Sequence, residues 1–398
     1  MISTVYIEKT VYGGDGLGRL GDGRVIFVPG AFAGERVKAE IAGEKKTFVK
    51  GRLVEVVSAS PERLAKPSPF VPGMVYAGLS ARGEQAAKEE QLRDFFARAR
   101  IPVGAFPPVA PPARFLNYRN KAVYHFARQN GRWVLGYRAE PAHAIVDVAD
   151  DPLAHPEINA RLGDIRARAF ALLTQGAPAV RRAVERQANL TVRWSAVSGV
   201  RWWIGEAPRD AVIRETTLNR VFEVPAGGFY QVNPEVGEEL VRAVAQEYAQ
   251  KAVQTPEIVD LYCGVGVFGL CCRPSKLTGI ESGREAVAFA RRNAEAQRMP
   301  GAVFAAGRIE HMKTRLPSAA HATVIVDPPR GGLGPGVADA LLRLRAPYIF
   351  YVSCDPATLL RDVRRLAAEY DVESVRWFNM FPRTARFETF AVLKRRRG

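Results

Sequence analysis

Residues 351–360 read Tyr351-Val-Ser-Cys354-Asp-Pro-Ala-Thr-Leu-Leu360 and predict a strand that turns directly into a helix. The aromatic and β-branched run 348–352 is typical of a buried strand, and Pro356 is typical of a first helical turn. In an open α/β sheet such a turn faces the crevice where ligands bind. The positive end of the helix would favour a thiolate. We therefore predict that Cys354 is a nucleophile; the alternative is a small core residue.

The chain around this turn alternates strands with helices. Strands are predicted at 258–262, 277–281, 303–305, 322–326 and 348–352, with a helix between most neighbours. This alternation predicts a parallel, doubly wound, Rossmann-like sheet and hence an α/β fold. Two later runs, 372–378 and 389–393, have no helix between them and predict an antiparallel end to the sheet.

The remaining sequence predicts two further domains. Residues 1–59 contain short β-rich runs between glycine turns and predict a small β-barrel of the OB type, with Arg and Lys suited to nucleic acid. Residues 60–228 predict an α+β middle domain in which Arg is interleaved with Tyr and Trp. This composition suits RNA binding, although it is also ordinary for strands. Residues 229–398 are the predicted catalytic domain.

The chain is strongly basic. It carries 57 Lys and Arg against 41 Asp and Glu, a formal net charge of +16. Such a balance makes nucleic acid the expected partner, with a purely solubilising role as the alternative. No basic segment followed by an apolar core opens the sequence, and no apolar run reaches the roughly 18 residues of a membrane span. We expect a cytoplasmic protein with no membrane partner and no evident protein partner.

The cysteines do not predict a metal site. Cys263, Cys271, Cys272 and Cys354 form no C-x-x-C pair, and the five histidines are scattered.

The first strand of the sheet leads into a glycine-rich turn that predicts a cofactor site. Gly264 and Gly266 let a ligand approach the backbone where a Cβ would collide. Glu281 ends the next strand, where it can hold the ribose hydroxyls of a nucleoside-containing cofactor. A solvated acid at a strand end is the alternative for Glu281. No Lys-Ser/Thr follows the glycines, which disfavours a triphosphate.

Two further acids lie at predicted strand ends. Asp327-Pro-Pro-Arg330 follows the fourth strand, and its prolines stiffen a loop that could grip a planar base through the Asp327 carboxylate. A simple strand terminator is the alternative. Glu388 begins the last strand after Phe381-Pro-Arg-Thr and could act as a general base. Taken alone, an acid at a strand edge is usually solvated.

Together these motifs resemble the RNA 5-methyluridine methyltransferase family. The matching stretches are Asp260-Leu-Tyr-Cys-Gly264-Val-Gly266, Asp327-Pro-Pro-Arg, Ser353-Cys354-Asp-Pro-Ala-Thr-Leu, Phe381-Pro-x-Thr with Glu388, Phe229-Tyr-Gln231-Val-Asn233 and Tyr118-Arg-Asn-Lys121. The first 59 residues resemble the TRAM domain that several members carry. The likeness spans nearly the whole chain, and the motifs occur in the family's order.

The resemblance implies a mechanism. Cys354 would add to carbon 6 of a uracil, and carbon 5 would then accept the methyl group of S-adenosylmethionine. Glu388 would remove the carbon 5 proton so that Cys354 can leave. Gln231, Tyr262, Glu281 and Asp327 would line the pocket for cofactor and base. The target base would have to leave its stack to reach it.

The chain departs from the family pattern at several positions. Many relatives hold an iron–sulfur cluster on four cysteines, but residues 67–82 contain no Cys and Asp151-Pro152 occupies the place of the fourth, so we predict no cluster. Arg386 stands where the family commonly has His, and we hypothesise that it contacts RNA phosphate. Val267 and Arg308 stand where some relatives have polar cofactor contacts.

The sequence therefore predicts a methyltransferase that forms 5-methyluridine in RNA, with ribosomal RNA favoured over tRNA. Methylation of cytosine carbon 5 shares the thiol addition and is the enzymatic alternative. A non-catalytic RNA-binding or RNA-folding factor is the alternative from a different class.

Overall fold

The protein is described from a computed structural model that covers residues 1–139, 144–175, 189–311 and 319–396, with the single positions 178, 182 and 184. Strands account for most of its first half, and strands alternating with helices for its second. No helix within the described ranges is both long enough and apolar enough to cross a membrane.

The first unit is a closed barrel. Among the described residues it consists of five strands: β1 (Ile2–Thr10), β2 (Gly16–Arg19), β3 (Val25–Val28), β4 (Arg36–Glu44) and β5 (Phe48–Ser58). Alternate residues such as Val5, Ile7 and Ile26 point inwards and form its core. The predicted barrel is confirmed. Its strand β2, however, lies in a glycine run that the sequence predicts as a turn. Glycine is needed in this strand because a Cβ on Gly16 or Gly18 would lie within 2.6 Å of a backbone oxygen of a neighbouring segment.

The middle of the chain begins with a helix and a short strand, α1 (Ala81–Ala99) and β6 (Val103–Ala105). A mixed α+β unit follows. Its elements are β7 (Lys121–Gln129), β8 (Arg132–Ala139), β9 (Ala144–Asp147), α2 (Pro156–Gln175), β10 (Asn189–Ser195) and β11 (Gly199–Ile204). The strands form an antiparallel sheet in the order β11-β10-β7-β8-β9, and α2 packs on it. A hairpin of β12 (Val212–Thr217) and β13 (Arg220–Pro225) comes next and is not predicted from the sequence.

The last unit is a doubly wound sheet. In chain order its elements are α3 (Pro234–Lys251), β14 (Glu257–Leu261), α4 (Val267–Cys272), β15 (Lys276–Glu281), α5 (Arg284–Ala296), β16 (Ala302–Ala306), a 3₁₀ turn (Ile309–His311), β17 (Ala322–Val326), α6 (Val337–Leu344), β18 (Tyr348–Ser353), α7 (Pro356–Leu366), β19 (Tyr370–Phe378) and β20 (Glu388–Arg395). Within the described ranges the sheet order is β16-β15-β14-β17-β18-β20-β19-β6. Strands β14 to β18 run parallel, whereas β20 is antiparallel to both β18 and β19. The predicted α/β fold with an antiparallel end is confirmed.

Both faces of this sheet are covered. One core cluster packs the sheet against α3, α4, α5 and the β12–β13 hairpin, and the other packs it against α1, α6 and α7. Leu92 and Phe96 of α1 lie in the second cluster, and β6 pairs with β19 at the edge of the sheet. Thus α1 and β6 pack with the catalytic sheet although they fall within the predicted middle domain, 60–228. The bounds 1–59, 60–228 and 229–398 remain a proposal.

Candidate active site

The sheet register gathers the predicted cofactor residues at one edge. Leu261 of β14 pairs with Ile280 of β15 on one side and with Val326 of β17 on the other. Tyr262, Glu281 and Asp327 are the residues that follow these three in sequence. They therefore lie at the carboxyl ends of adjacent strands, on both sides of the point where strand order reverses. This is where open α/β sheets bind ligands.

The glycine turn after β14 needs glycine for steric reasons. Gly264 and Gly266 have φ of 54° and 88°, in the left-handed region that other residues rarely adopt. A Cβ on Gly266 would lie 3.0 Å from Leu270 and 3.1 Å from the Phe304 ring. Gly266 also precedes α4 directly, so the turn presents bare backbone beside the crevice.

Glu281 is fixed by this turn rather than left in solvent. Its Oε2 accepts a hydrogen bond from the Gly264 N–H at 3.3 Å, and its Oε1 accepts from the Gly283 N–H at 2.7 Å and the Ser282 hydroxyl at 2.8 Å. The carboxylate is only partly buried and retains lone pairs for ribose hydroxyls.

Asp260 forms the floor beneath the turn. Its Oδ2 accepts from the Gly269 N–H at 3.1 Å, whereas Oδ1 is buried and has no hydrogen-bond partner among the described residues. Burial raises the pKa of Asp260 to about 7.

A cavity lies between the glycine turn after β14, the first half of α3 and the end of β12. Its lining includes four of the predicted residues, Gln231, Tyr262, Gly264 and Asp327; the others are Thr217, Phe229, Tyr230, Pro234, Gly237, Val241, Cys263, Val265, Val267 and Phe268. Gly266 belongs to the same turn but does not line the cavity. Glu281 does not line it either, but its carboxylate accepts a hydrogen bond from Gly264, which does. Left-handed glycines, an unpartnered buried oxygen and an acid at the next strand fit a nucleoside-containing cofactor.

Cys354 and Glu388 face each other across the sheet. The last residue pair between β18 and β20 is Ser353 with Thr389, and the Thr389 hydroxyl donates to the Ser353 carbonyl at 3.0 Å. Cys354 directly follows Ser353 and Glu388 directly precedes Thr389, so both residues lie at the same end of this pair, where Glu388 influences the thiol. Cys354 is half-buried, and Glu388 is buried with 4% of its surface exposed. The predicted nucleophile and base are thus cross-strand neighbours.

Burial favours the protonated form of both groups. Burial and the Glu388 carboxyl raise the pKa of the Cys354 thiol to about 11, and Arg330 opposes this rise. Burial and Asp327 hold the pKa of Glu388 well above its usual range. The pKa of the thiol thus lies above its ordinary value in the ligand-free site, opposite to the direction expected from the helix N-terminus. Cys354 also lies outside α7, whose N-cap is Asp355.

Known proteins resemble this chain over nearly its whole length. A family model of tRNA (uracil-5-)-methyltransferases matches residues 210–396, and a TRAM-domain model matches residues 2–54. A protein of Gloeobacter violaceus, described as an uncharacterized RNA methyltransferase, is 31% identical over 98% of this chain and 96% of its own length. This chain belongs to the RNA uracil-5-methyltransferase family. The predicted family, the TRAM domain and an enzyme that acts on RNA with S-adenosylmethionine are thereby confirmed.

Two further comparisons cover the whole methyltransferase. The 23S rRNA (uracil(1939)-C(5))-methyltransferase RlmD of Methylococcus capsulatus is 29% identical over 98% of this chain and 96% of its own length. A crystal structure of the Pyrococcus abyssi tRNA (uracil-54, C5)-methyltransferase in complex with S-adenosyl-L-homocysteine covers 98% of this chain and 99% of that one. It has a TM-score of 0.73 at 23% identity and so shares the fold.

A tyrosine of the barrel reaches the active site of the methyltransferase. The Tyr12 ring contacts Phe387 edge-to-face at 5.8 Å between centroids and Phe95 of α1 at 5.4 Å. Its hydroxyl is buried without a hydrogen-bond partner among the described residues. Burial and the nearby charge of Asp355 raise the pKa of Tyr12 to about 12, and Cys354 adds to this rise. The sequence gives no signal for this residue beyond an aromatic next to a glycine turn.

Arginines and an exposed aromatic surround the mouth of the site. Arg330 is exposed, and Arg386 lies 3.8 Å from Asp355, measured from Nη1 to Oδ2. Phe229, the first residue of the motif that carries Gln231, is 72% exposed on the rim of the cavity. Exposed aromatic rings and arginines are the kinds of side chain with which proteins contact nucleic-acid bases and phosphates.

Asp151, in the place of a cluster cysteine, is a buried hydrogen-bond acceptor. Its carboxylate accepts from the hydroxyls of Tyr124 at 3.0 Å and Tyr137 at 2.7 Å and from the Leu153 N–H at 2.9 Å. Across the described ranges, no group of three or more His, Cys, Asp and Glu side chains could hold a metal ion.

Proposed function

We propose that this methyltransferase transfers the methyl group of S-adenosylmethionine to carbon 5 of a uridine in RNA through a covalent adduct with Cys354. The cross-strand opposition of Cys354 and Glu388, beside the cavity that contains Gln231, Tyr262 and Asp327, is the observation that carries the proposal. A thiol nucleophile paired with a carboxyl base suits addition to an electron-poor ring carbon and later elimination.

The residues of the site divide the reaction between them. Cys354 loses its proton to solvent, and its Sγ forms a bond to carbon 6 of the uracil while the electron pair of the C5–C6 double bond becomes available at carbon 5. The cofactor, when bound, supplies the methyl group that carbon 5 accepts. The Glu388 carboxylate then takes the proton from carbon 5. The released electron pair restores the C5–C6 double bond, the Sγ–C6 bond breaks, and the thiolate is regenerated.

The same residues control the protonation states. The pKa of Cys354 is raised to about 11, so the positive charges of Arg330 and Arg386, which lower it, support thiolate formation. Glu388 must lose its proton before the final step, and Arg330 lowers its pKa as well. Glu281 and the glycine turn would hold the cofactor's ribose, and Asp327 with Gln231 would hold the target uracil.

We favour ribosomal RNA as the substrate and the cytoplasm as the location of the protein. The TRAM barrel supports an RNA substrate in general. The relative from Methylococcus capsulatus bears a ribosomal RNA name, whereas the matching family model and the Pyrococcus abyssi protein bear tRNA names. Both substrates therefore belong in the test.

A 5-fluorouridine trap tests the proposal. Fluorine at carbon 5 cannot leave as a proton, so protein, S-adenosylmethionine and a 5-fluorouridine ribosomal RNA transcript should yield a denaturation-resistant adduct with the mass of protein, RNA and one methyl group. Cys354→Ala should abolish it, and Cys272→Ala, at another partly exposed cysteine, should not. A substituted tRNA transcript run in parallel assigns the RNA class.

Absence of an adduct with either RNA, while the cofactor still binds, would contradict the proposal. Base analysis of the product would then separate cytosine methylation from a protein that only binds RNA.

A further inference from the structure

A buried ion pair lies behind the loop that leads to Glu388. Lys88 and Glu84 are one helical turn apart on α1, both side chains are fully buried, and Lys88 Nζ lies 2.8 Å from Glu84 Oε1. Removing two charges from water is costly, so such a pair persists only where hydrogen bonds satisfy its remaining groups. Those bonds come from the loop 379–387, which joins β19 to β20.

The pair binds this loop through both charges. Lys88 Nζ donates to Asn379 Oδ1 at 2.7 Å and to the Phe381 carbonyl at 3.2 Å. The Glu84 carboxylate accepts from the Arg383 N–H at 2.9 and 3.1 Å and from the Asn379 side-chain amide at 2.9 Å. The ammonium and the carboxylate thus hold opposite kinds of backbone group on the same loop.

Other elements hold the rest of the loop. The Tyr118 hydroxyl donates to the Pro382 carbonyl at 3.0 Å, the Tyr76 N–H donates to the Arg383 carbonyl at 3.1 Å, and the Asn233 side chain donates to the Met380 carbonyl at 3.4 Å. Arg383 has a φ of 67°, a left-handed conformation that an arginine keeps only when its surroundings impose it. Each of residues 380–383 therefore has a fixed backbone group.

The loop determines where Glu388 lies. Phe378 and Glu388 are paired residues of β19 and β20, so the loop 379–387 closes directly onto the base. We propose that Lys88 and Glu84 are positioning residues that hold this loop so that the Glu388 carboxylate faces carbon 5 of the bound base. This inference rests on the proposed function, in which Glu388 removes the carbon 5 proton.

Lys88→Met tests the inference because it keeps the side-chain length and removes the ammonium. With an ordinary uridine transcript and S-adenosylmethionine, Cys354 should still add to the base and the methyl group should still be transferred. Removal of the carbon 5 proton by a displaced Glu388 should be slower. We expect turnover to fall at least tenfold and a methylated protein–RNA adduct to accumulate, which the wild-type protein does not do. A loss of stability alone would lower turnover without trapping this adduct.

The controls use the same helix. Glu84→Gln removes the buried charge with little change in shape and should also trap the adduct. Glu89→Gln makes the same substitution in the exposed pair Glu89–Arg93 of α1 and should behave as wild type. Should Lys88→Met fail to fold, Tyr118→Phe removes the hydroxyl that donates to the Pro382 carbonyl and accepts from Arg119 Nε, and it should trap a smaller fraction.

Two results would overturn the inference. One is turnover of folded Lys88→Met and Glu84→Gln within twofold of wild type. The other is reduced turnover with no adduct on ordinary uridine. The 5-fluorouridine adduct of the wild-type protein distinguishes failure of this inference from failure of the proposed function. If that adduct forms and the variants trap nothing on ordinary uridine, positioning by Lys88 and Glu84 is wrong. If it does not form, the proposed function itself is wrong.

Discussion

Asp260, Asp327 and Glu388 hold protons at a pH where most carboxyl groups in proteins have lost them. Burial is the first cause for all three, and it raises the pKa of Asp260 and of Asp327 to about 7. A folded-state pKa above the unfolded value means that the folded protein binds more protons, so stability falls as pH rises from about 4 to about 7. Each of these acids therefore favours the unfolded chain at neutral pH.

Asp260→Asn should stabilise the ligand-free protein more at pH 8 than at pH 4. The amide cannot ionise and can still accept the Gly269 N–H, so at pH 8 the variant avoids a buried charge worth up to about 4 kcal/mol, at about 1.4 kcal/mol per pKa unit. Melting temperatures at the two pH values, with exposed Asp339→Asn as control, measure the difference. An equal gain at both pH values would show that Asp260 ionises normally.

Tyr12→Phe should slow adduct formation severalfold at saturating RNA. The ring contacts with Phe387 and Phe95 remain in the variant, and only the buried hydroxyl without a partner is lost. We expect that hydroxyl to donate to the bound RNA. Single-turnover rates with the 5-fluorouridine transcript test this, and Tyr6→Phe, at an exposed tyrosine of the same barrel, is the control. Identical rates for both variants would contradict the expectation.

Sequence motifs identify single residues well when the fold brings motifs together at strand ends. Cys354 and Glu388 are predicted separately, and the structure places them opposite each other. Tyr12 is not predictable, because its position depends on how the barrel docks against α1. The direction of the Cys354 pKa is also not predictable, since it depends on burial by residues distant in sequence.

At the level of elements, turns and caps place the site. Asp355 caps α7 by accepting from the N–H groups of Ala357 at 2.9 Å and Thr358 at 3.2 Å, which fixes the turn that carries Cys354. Gly266 plays the corresponding part at α4, where backbone freedom replaces a side-chain cap.

Gly266→Ala should destabilise the protein and weaken cofactor binding at least tenfold. An alanine in the left-handed region costs about 1–2 kcal/mol, and its Cβ would crowd Leu270 and Phe304. Calorimetric titration with S-adenosylmethionine and thermal unfolding measure the two effects. Gly163→Ala, at an exposed helical position with open space around it, should be neutral or slightly stabilising. Unchanged cofactor affinity in Gly266→Ala would contradict the role given to this turn.

Long periodic elements are predictable from sequence, whereas short ones depend on their neighbours. The strands of the catalytic sheet lie close to their predicted positions. The β12–β13 hairpin is missed because its place is set by contacts such as that of Asn293 on α5, which donates to the Glu223 carbonyl at 3.0 Å and the Val265 carbonyl at 3.1 Å. The three-residue strand β6 is defined only by pairing with β19.

In the whole molecule, α1 joins the barrel to the catalytic sheet. Its Gln91 amide donates to the Thr10 carbonyl of the barrel at 2.9 Å and to the Tyr76 hydroxyl at 3.0 Å. Lys9 of the barrel pairs with Asp94 on the same helix. The opposite end of α1 holds the loop before Glu388 through Glu84 and Lys88. The helix therefore connects the TRAM barrel to the loop that leads to Glu388, the proposed base.

Gln91→Leu should loosen the barrel and lower the single-turnover rate severalfold without changing cofactor affinity. The residues that line the cofactor cavity belong neither to α1 nor to the barrel, whereas the position of Tyr12 depends on how the barrel packs against α1. Rapid-quench kinetics and cofactor titration separate the two quantities, and Gln246→Leu on the exposed face of α3 is the control. A parallel loss of cofactor affinity would indicate general destabilisation instead.

The position of β20 between β18 and β19 also bears on synthesis of the chain. The nucleophile, the glycine turn and Asp327 are all translated before this strand, but the base at its first residue is translated after them. A nascent chain that has not reached β20 lacks both the strand that joins β18 to β19 and the carboxyl group of Glu388. Insertion of β20 therefore fills the gap between β18 and β19 and brings Glu388 to the site in the same step.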